Sequence, residues 1–314
     1  MKLTNRKTFV NIFMQVKINM HYIIKRATSY TISFFSLIGI IGLLVPLSDI
    51  LPKSWNLLDK IFTSILIILF IWITTFILAA IITLKKSCVE VVNAGNNHHV
   101  YVCYGDIFSS DIIHAVKSKE NNLQRIITIA VNRCFDTIVD NDLIMDESLH
   151  GKAMKMIYSK EITPKELNCD IKKNLSMHHY KPDAKLTNAQ KRKGNLKRYP
   201  VGSVAEYNLN DDITFFFFAL STFNNELHAE TSDSDHVLAI IKLLEFCSER
   251  SQGRPVIMPI IGAHGSNTRK NEKDILEYMI SLIKMNKNLI TFDLYIVIRE
   301  NRKDTIPIMD LYKN

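Results

Sequence analysis

Four short stretches of the chain hold side chains that could bind or transform a small molecule: "GDIF" at 105–108, "NRCFD" at 132–136, "SLHG" at 148–151 and "GAHGSN" at 262–267. Asp106 offers a carboxylate that selects for hydrogen-bond donors, such as the exocyclic amine of adenine. A carboxylate just past a strand can equally serve as a turn cap. Asn132 both donates and accepts, which suits ribose hydroxyls, and Asn also tolerates the left-handed backbone of a turn. Gly262 and Gly265, with Ala263 between them, let a backbone come close to an anion, and a helix starting after Ser266 would present its positive end. The same composition makes an ordinary turn, and His264 either touches a ligand or only fits the loop. "SLHG", with Leu149, His150 and Gly151, opens a helix and could supply a second anion-facing loop. Asp136 and His150 are the two groups here that could activate water.

Such residues need elements to position them. Short apolar runs at 99–105, 125–132, 212–221, 254–262 and 289–297 predict strands, several of them apolar at consecutive positions and therefore buried on both faces. Helical patterns near 109–119, 147–158, 231–251 and 270–286 alternate with them, the last capped by Ser266 or Asn267. The expected architecture is a sheet covered by helices, with ligands at the carboxyl ends of its strands. The polar, Lys-rich stretch 160–197 reads as an insertion or long surface loop, and "KRKGNLKR" at 191–198 within and beyond it as a solvated loop or an anion or partner contact.

Two segments upstream have a different character. "TISFFSLIGIIGLLVPLSDILP" (31–52) and the uncharged "IFTSILIILFIWITTFILAAIITL" (61–84) are each long enough for a bilayer core, which takes about 20 helical residues. Residues 1–30 carry six bases and no acid, and Lys85 and Lys86 follow the second apolar block, so both ends of a hairpin are expected in the cytoplasm. Residues 8–24 could lie as a helix in the interface. The net charge of +8 resides in these flanks, and the rest of the chain is neutral, which argues against nucleic acid as a partner. Five cysteines without CxxC spacing fit a reduced cytosolic domain better than a disulfide framework, and the paired histidines at 98–99 and 178–179 lack metal-ligand spacing.

Together, "YGDIF", "IITIAVNRCFDTIV" and "IIGAHGSN" resemble the opening strands and phosphate loop of a macrodomain. The wording "VNRCFDTIVDNDLIMDESLHGKAM", "YPVGSVAEY" and "FFFFALSTFN" resembles more specifically the divergent macrodomain of Thoeris antiphage effectors, and the apolar hairpin resembles the membrane anchor of the type II systems. The resemblance implies an N-terminal two-helix transmembrane hairpin followed by an α/β macrodomain with a mixed central sheet between helices. The domains would be a basic cytoplasmic segment (1–30), the hairpin (31–84) and a cytosolic macrodomain (87–314) at the bacterial inner membrane. It implies no resident cofactor, a ligand derived from ADP-ribose and conjugated through an imidazole or histidine, and a TIR-domain partner that makes it. Self-association and contact with membrane lipid follow from the same likeness. Asp106 would read adenine, Asn132 the ribose, and Gly262 to Gly265 the diphosphate, with Ile107, Cys134, Phe135, Asp136, Leu149, His150, Gly151 and Ser266 as further ligand-binding residues. Arg133, Cys134 and Phe135 depart from the small residues and second Asn of catalytic macrodomains. That departure favours a ligand reader over the rival, a membrane-tethered ADP-ribosyl hydrolase using Asp136 or His150.

Overall fold

The computed structural model describes residues 11–42, 52, 54–116, 124–262 and 271–311, and the chain divides into two compact units, 1–87 with 303–314, and 88–302.

In the first unit, residues 11–18 are helical and are followed by α1 (Met20–Gly42) and α2 (Leu57–Lys85). Much of the apolar block 43–52 lies outside the described residues. The two helices meet through Ile23, Ala27, Ala79 and Ala80, with Tyr30 and Phe76 beside them. Small side chains let the backbones approach, and hydroxyls join across the seam. Thr31 and Thr75 share a hydrogen bond of 2.9 Å, and Trp72 Nε1 donates to Thr28 at 3.4 Å. Among the described residues, α2 is a helix long and apolar enough to cross a membrane by length and composition. Phe62 (64%), Ile65 (56%) and Phe70 (71%) stand exposed on it.

The second unit runs β1 (Cys88–Gly95), β2 (His98–Tyr104), α3 (Asp111–His114), β3 (Arg125–Asn132), α4 (Leu149–Tyr158), α5 (Pro164–Met177), β4 (Ala184–Lys185), β5 (Lys197–Arg198), β6 (Val204–Asn208), β7 (Ile213–Phe223), β8 (Ala229–Glu230), α6 (Asp233–Arg250), β9 (Val256–Pro259), α7 (Glu272–Met285) and β10 (Leu294–Ile298). The main sheet has the order β1-β2-β10-β9-β3-β7-β6, with β8 paired to β7. Strands β2, β10, β9, β3 and β7 are mutually parallel, and the flanking β1 and β6 are antiparallel. Burial on both faces follows the apolar runs. Phe215 to Phe218 are all fully buried; Phe215 and Phe217 join Ile127, Ile129 and Tyr295 under α4 and α5, while Phe216 meets Phe246 of α6 edge to face at 5.1 Å. Alternation along the strand sends neighbours to opposite faces.

Four expectations need correction. The stretch 160–197 is not a structureless surface loop: it contains α5, closed by a capping box between Thr163 and Glu166 with Pro164 in its first turn, and it buries Leu167, Ile171 and Leu175. The helix expected at 270–286 is capped by Asn271, whose Oδ1 accepts from the Asp274 amide at 2.8 Å; Ser266 and Asn267 lie outside the described residues. Nor are all cysteines free, since Cys88 and Cys103 face each other across the β1–β2 ladder, Cα atoms 4.1 Å apart, as a disulfide. Directly opposed antiparallel residues come this close only through strand register, which cysteine spacing does not encode. Cys134, Cys169 and Cys247 are free thiols. The helix near 109–119 is short, Asp111–His114, with 117–119 outside the described residues.

Candidate functional site

Because β2, β10, β9 and β3 are parallel, their carboxyl ends share one edge of the sheet. Asp106 and Gly262 follow β2 and β9 at that edge, and Asn132 is the last residue of β3, in the region where open α/β sheets collect ligands.

At the end of β2, Gly105 donates its N–H to the Ile298 carbonyl (2.9 Å), prolonging the pairing with β10 by one residue. Asp106 then turns the chain. Its Oδ1 accepts from the Phe108 amide at 3.1 Å and its carbonyl from the Ser109 amide at 3.0 Å. The carboxylate is exposed, and Ile107 beside it is buried in the core. The side chain serves the turn through one carboxylate oxygen, Oδ1.

The end of β3 is built differently. Asn132 is buried, and its Oδ1 accepts from the Cys134 amide at 3.0 Å. Phe135 takes a left-handed backbone (φ +51°) and packs edge to face on Tyr199 at 5.6 Å. The segment expected to be solvated reaches in to brace this loop. Lys191, fully buried, donates to Asp136 Oδ2 at 2.5 Å and to the Asn195 carbonyl at 2.7 Å. The Asn195 amide donates to Asp136 Oδ1 at 2.6 Å, and Asn195 Nδ2 donates to the carbonyls of Cys134 (3.2 Å) and Phe135 (3.0 Å). Gly194, at φ +86°, passes so close that a β-carbon there would strike the Asp136 carboxylate and Leu143. Two further bases of "KRKGNLKR" meet acids: Lys193 lies 2.6 Å from Asp140, and Arg198 lies 3.0 Å from Asp183, which also binds Arg133. Burial pushes the Asp136 carboxyl up while Lys191 pulls against it, and burial raises the Cys134 thiol to about 11, so Cys134 is no thiolate nucleophile near neutral pH.

At α4, Ser148 caps the helix by accepting from the Gly151 amide at 2.9 Å. Gly151 is buried, and a β-carbon there would press on the Met145 and Asp146 carbonyls, so this glycine serves helix packing and its N–H is committed to the cap. Leu149 packs on the core, and the His150 ring sits 6.1 Å from that of Phe217. Burial lowers the His150 pKa to about 3, leaving a neutral imidazole. After β9, Gly262 adopts φ +86°, a conformation that favours glycine, and opens the Gly-rich turn. Ala263, His264, Gly265 and Ser266 lie outside the described residues.

Sequence reasoning missed Lys191 and Asn195 as supports of the β3 loop. The close approach of Gly194 was the available signal, but nothing local marks a lysine as buried. Among the described residues no cluster of His, Cys, Asp or Glu suits a metal ion.

The family model for the macro domain of Thoeris protein ThsA matches residues 100–299. Thoeris protein ThsA of Bacillus amyloliquefaciens (strain Y2) is 27% identical over 225 residues, an alignment covering 70% of this chain and 64% of that protein, so the chain spans less than two thirds of this relative. Among solved structures, an Oceanobacillus iheyensis macrodomain mutant with ADPR is similar at 12% identity and a TM-score of 0.43, over 72% of this chain and 95% of that one. A second mutant of that macrodomain gives 13% identity and a TM-score of 0.41, over 72% and 90% of the two chains.

Proposed function

The chain belongs to the macrodomain family of Thoeris protein ThsA, and on that premise we propose that it is a ligand-sensing effector of antiphage defence at the bacterial inner membrane. A TIR-domain partner makes a diffusible ADP-ribose derivative, an imidazole or histidine conjugate in the form the resemblance implies. The macrodomain binds it at the carboxyl edge of its sheet. Binding favours self-association, and the gathered α1–α2 hairpins then disrupt the bilayer. For the ligand to drive this step it must bind the associated state more tightly than the resting one.

The observation that carries the reading is the exposed Asp106 carboxylate at the same sheet edge as the left-handed Gly262. An adenine amine and a diphosphate ask for that combination. The exposed apolar side chains of α2 support a lipid-facing role, because a helix apolar on all sides needs apolar surroundings. Preference for a sensor over a hydrolase is supported by Asp136, whose two oxygens are bound by Lys191 and Asn195, and by His150, a weak base with its lowered pKa.

Calorimetric titration of the full chain in detergent micelles with ADP-ribose and its imidazole conjugates tests the proposal. Saturable binding that is lost in Asp106→Ala is expected, and no heat with any of these nucleotides would sink the sensor reading. Release of ADP-ribose from a modified substrate by the same preparation, abolished in His150→Ala, would restore the hydrolase.

A further inference from the structure

Cys88 and Cys103 form the pair of the β1–β2 ladder farthest from its turn at 95–97, and a disulfide joins them. The turn and the register already hold this hairpin. A bond across a sequence separation of only 15 residues constrains the unfolded chain less than a longer loop would. Its contribution is local. β1 is an edge strand of the main sheet, and its ladder is irregular between Glu90 and Val92 and again between Asn93 and Gly95. Each irregularity interrupts the pairing, so the open end of the hairpin rests on the pairs made by Cys88, Val89 and Glu90. The two sulfurs differ in access: Cys103 is fully buried, whereas Cys88 is half-buried. The Ile112 carbonyl of α3 lies 3.9 Å from Cys88 Sγ, placed to accept from the thiol that reduction creates.

We propose that the Cys88–Cys103 pair is a site of reversible thiol–disulfide exchange with a protein dithiol, and that its redox state sets how firmly β1 is stapled to the sheet. In the reducing direction a thiolate of the dithiol attacks Cys88 Sγ, the accessible sulfur. A mixed disulfide forms as the Cys88–Cys103 bond breaks, and the Cys103 sulfur leaves with the electron pair and takes up a proton. The second thiol of the reductant gives up its proton and attacks the reductant's own sulfur in the mixed disulfide, releasing Cys88 as a thiol. The chain gains two electrons and two protons, and the reductant becomes a disulfide; oxidation is the reverse. Cys88 follows the last residue of α2, Lys85, by three positions, so fraying of β1 from its first residue lengthens the chain between the apolar helix and the paired strand. The proposal is independent of the ligand reading; only the choice of a cytosolic dithiol draws on the cellular placement above.

The test incubates the folded full chain in detergent micelles with dithiothreitol or with its oxidised form. After acid quenching and unfolding, free thiols are alkylated and located by mass spectrometry. Cys88 and Cys103 should be labelled together after the reduced reagent and protected together after the oxidised one, with circular dichroism unchanged. On reduction, amide exchange over residues 88–92 should quicken about tenfold, while β9 and β10 stay within about twofold. Cys103→Ser leaves the half-buried Cys88 thiol, which should trap oxidised glutathione as a mixed disulfide, and Cys88→Ser should not. A pair that stays oxidised until the protein unfolds, cysteines that both stay free in the oxidised reagent, or equal trapping by the two variants overturns exchange at this site. Unchanged amide exchange across β1 overturns the staple. If the serine variants fail to fold, labelling and amide exchange of the wild-type chain decide the question.

Discussion

The turns after β2 and β3 leave the same edge of the sheet and begin with the same local device. In each, a side-chain oxygen accepts from the backbone amide two residues on, Asp106 from Phe108 and Asn132 from Cys134. Beyond that they part. Asp106 remains exposed, whereas Asn132 is 5% exposed and its loop is fastened by Lys191 and Asn195 from a segment more than fifty residues away. The first turn presents a charged side chain to solvent; the second is a loop braced from within the protein. Residue type and place after a strand nominate a ligand contact, and the hydrogen bonds already made decide what it can still do.

The contrast breaks most severely at Lys191. Lys191→Met strands the buried Asp136 carboxylate without its cation and should cost about 3–5 kcal/mol of stability, read as a shift of the urea midpoint. Adding Asp136→Leu should recover most of the loss, because no charge is then left unpaired. A single variant within about 1 kcal/mol of wild type would show that the pair does not hold the loop.

At β2 the opposite signature is expected. Asp106→Asn keeps an oxygen for the Phe108 amide but sets a donor against the ligand's amine. Affinity for ADP-ribose should fall about 10- to 100-fold, the size of a hydrogen bond to a charged group, with stability changed by no more than about 0.5 kcal/mol. Comparable losses in affinity and melting temperature would place Asp106 with the structural loop instead.

The smallest effect sharpens the role of the α4 terminus. Folding lowers the His150 pKa from its ordinary 6.5 to about 3. Between those values the folded state binds fewer protons than the unfolded chain, so the stability held above pH 6.5 declines as pH falls through that window. At a pH one unit below the unfolded value the loss is about 1 kcal/mol, allowing for the partial exposure of the ring. His150→Phe should flatten the melting temperature between pH 6.5 and 5.5, and an unchanged slope would assign it to other groups.

Much of this fold was legible. Strands β2, β3, β7, β9 and β10 coincide with apolar runs because consecutive apolar residues suit a sheet covered on both faces. Helix α5 was legible too: Thr163, Pro164 and Glu166 announce its start, and Leu167, Ile171 and Leu175 repeat at four-residue spacing, a stripe its Lys and Asp residues obscured. The hairpin between β1 and β2 turns on Gly95, Asn96 and Asn97, all with positive φ, a readable Gly-Asn signal.

What the sequence determined by itself were the elements and the candidates at their ends, because periodicity, capping and turn chemistry act over a few neighbouring residues. Only the tertiary structure decided that Lys191, in a run of bases, is wholly buried, that Cys88 meets Cys103, and that His236 holds the Ile261 carbonyl. Desolvation and hydrogen-bond partnership belong to neighbours in space, and here those neighbours lie 15 to 55 residues apart along the chain.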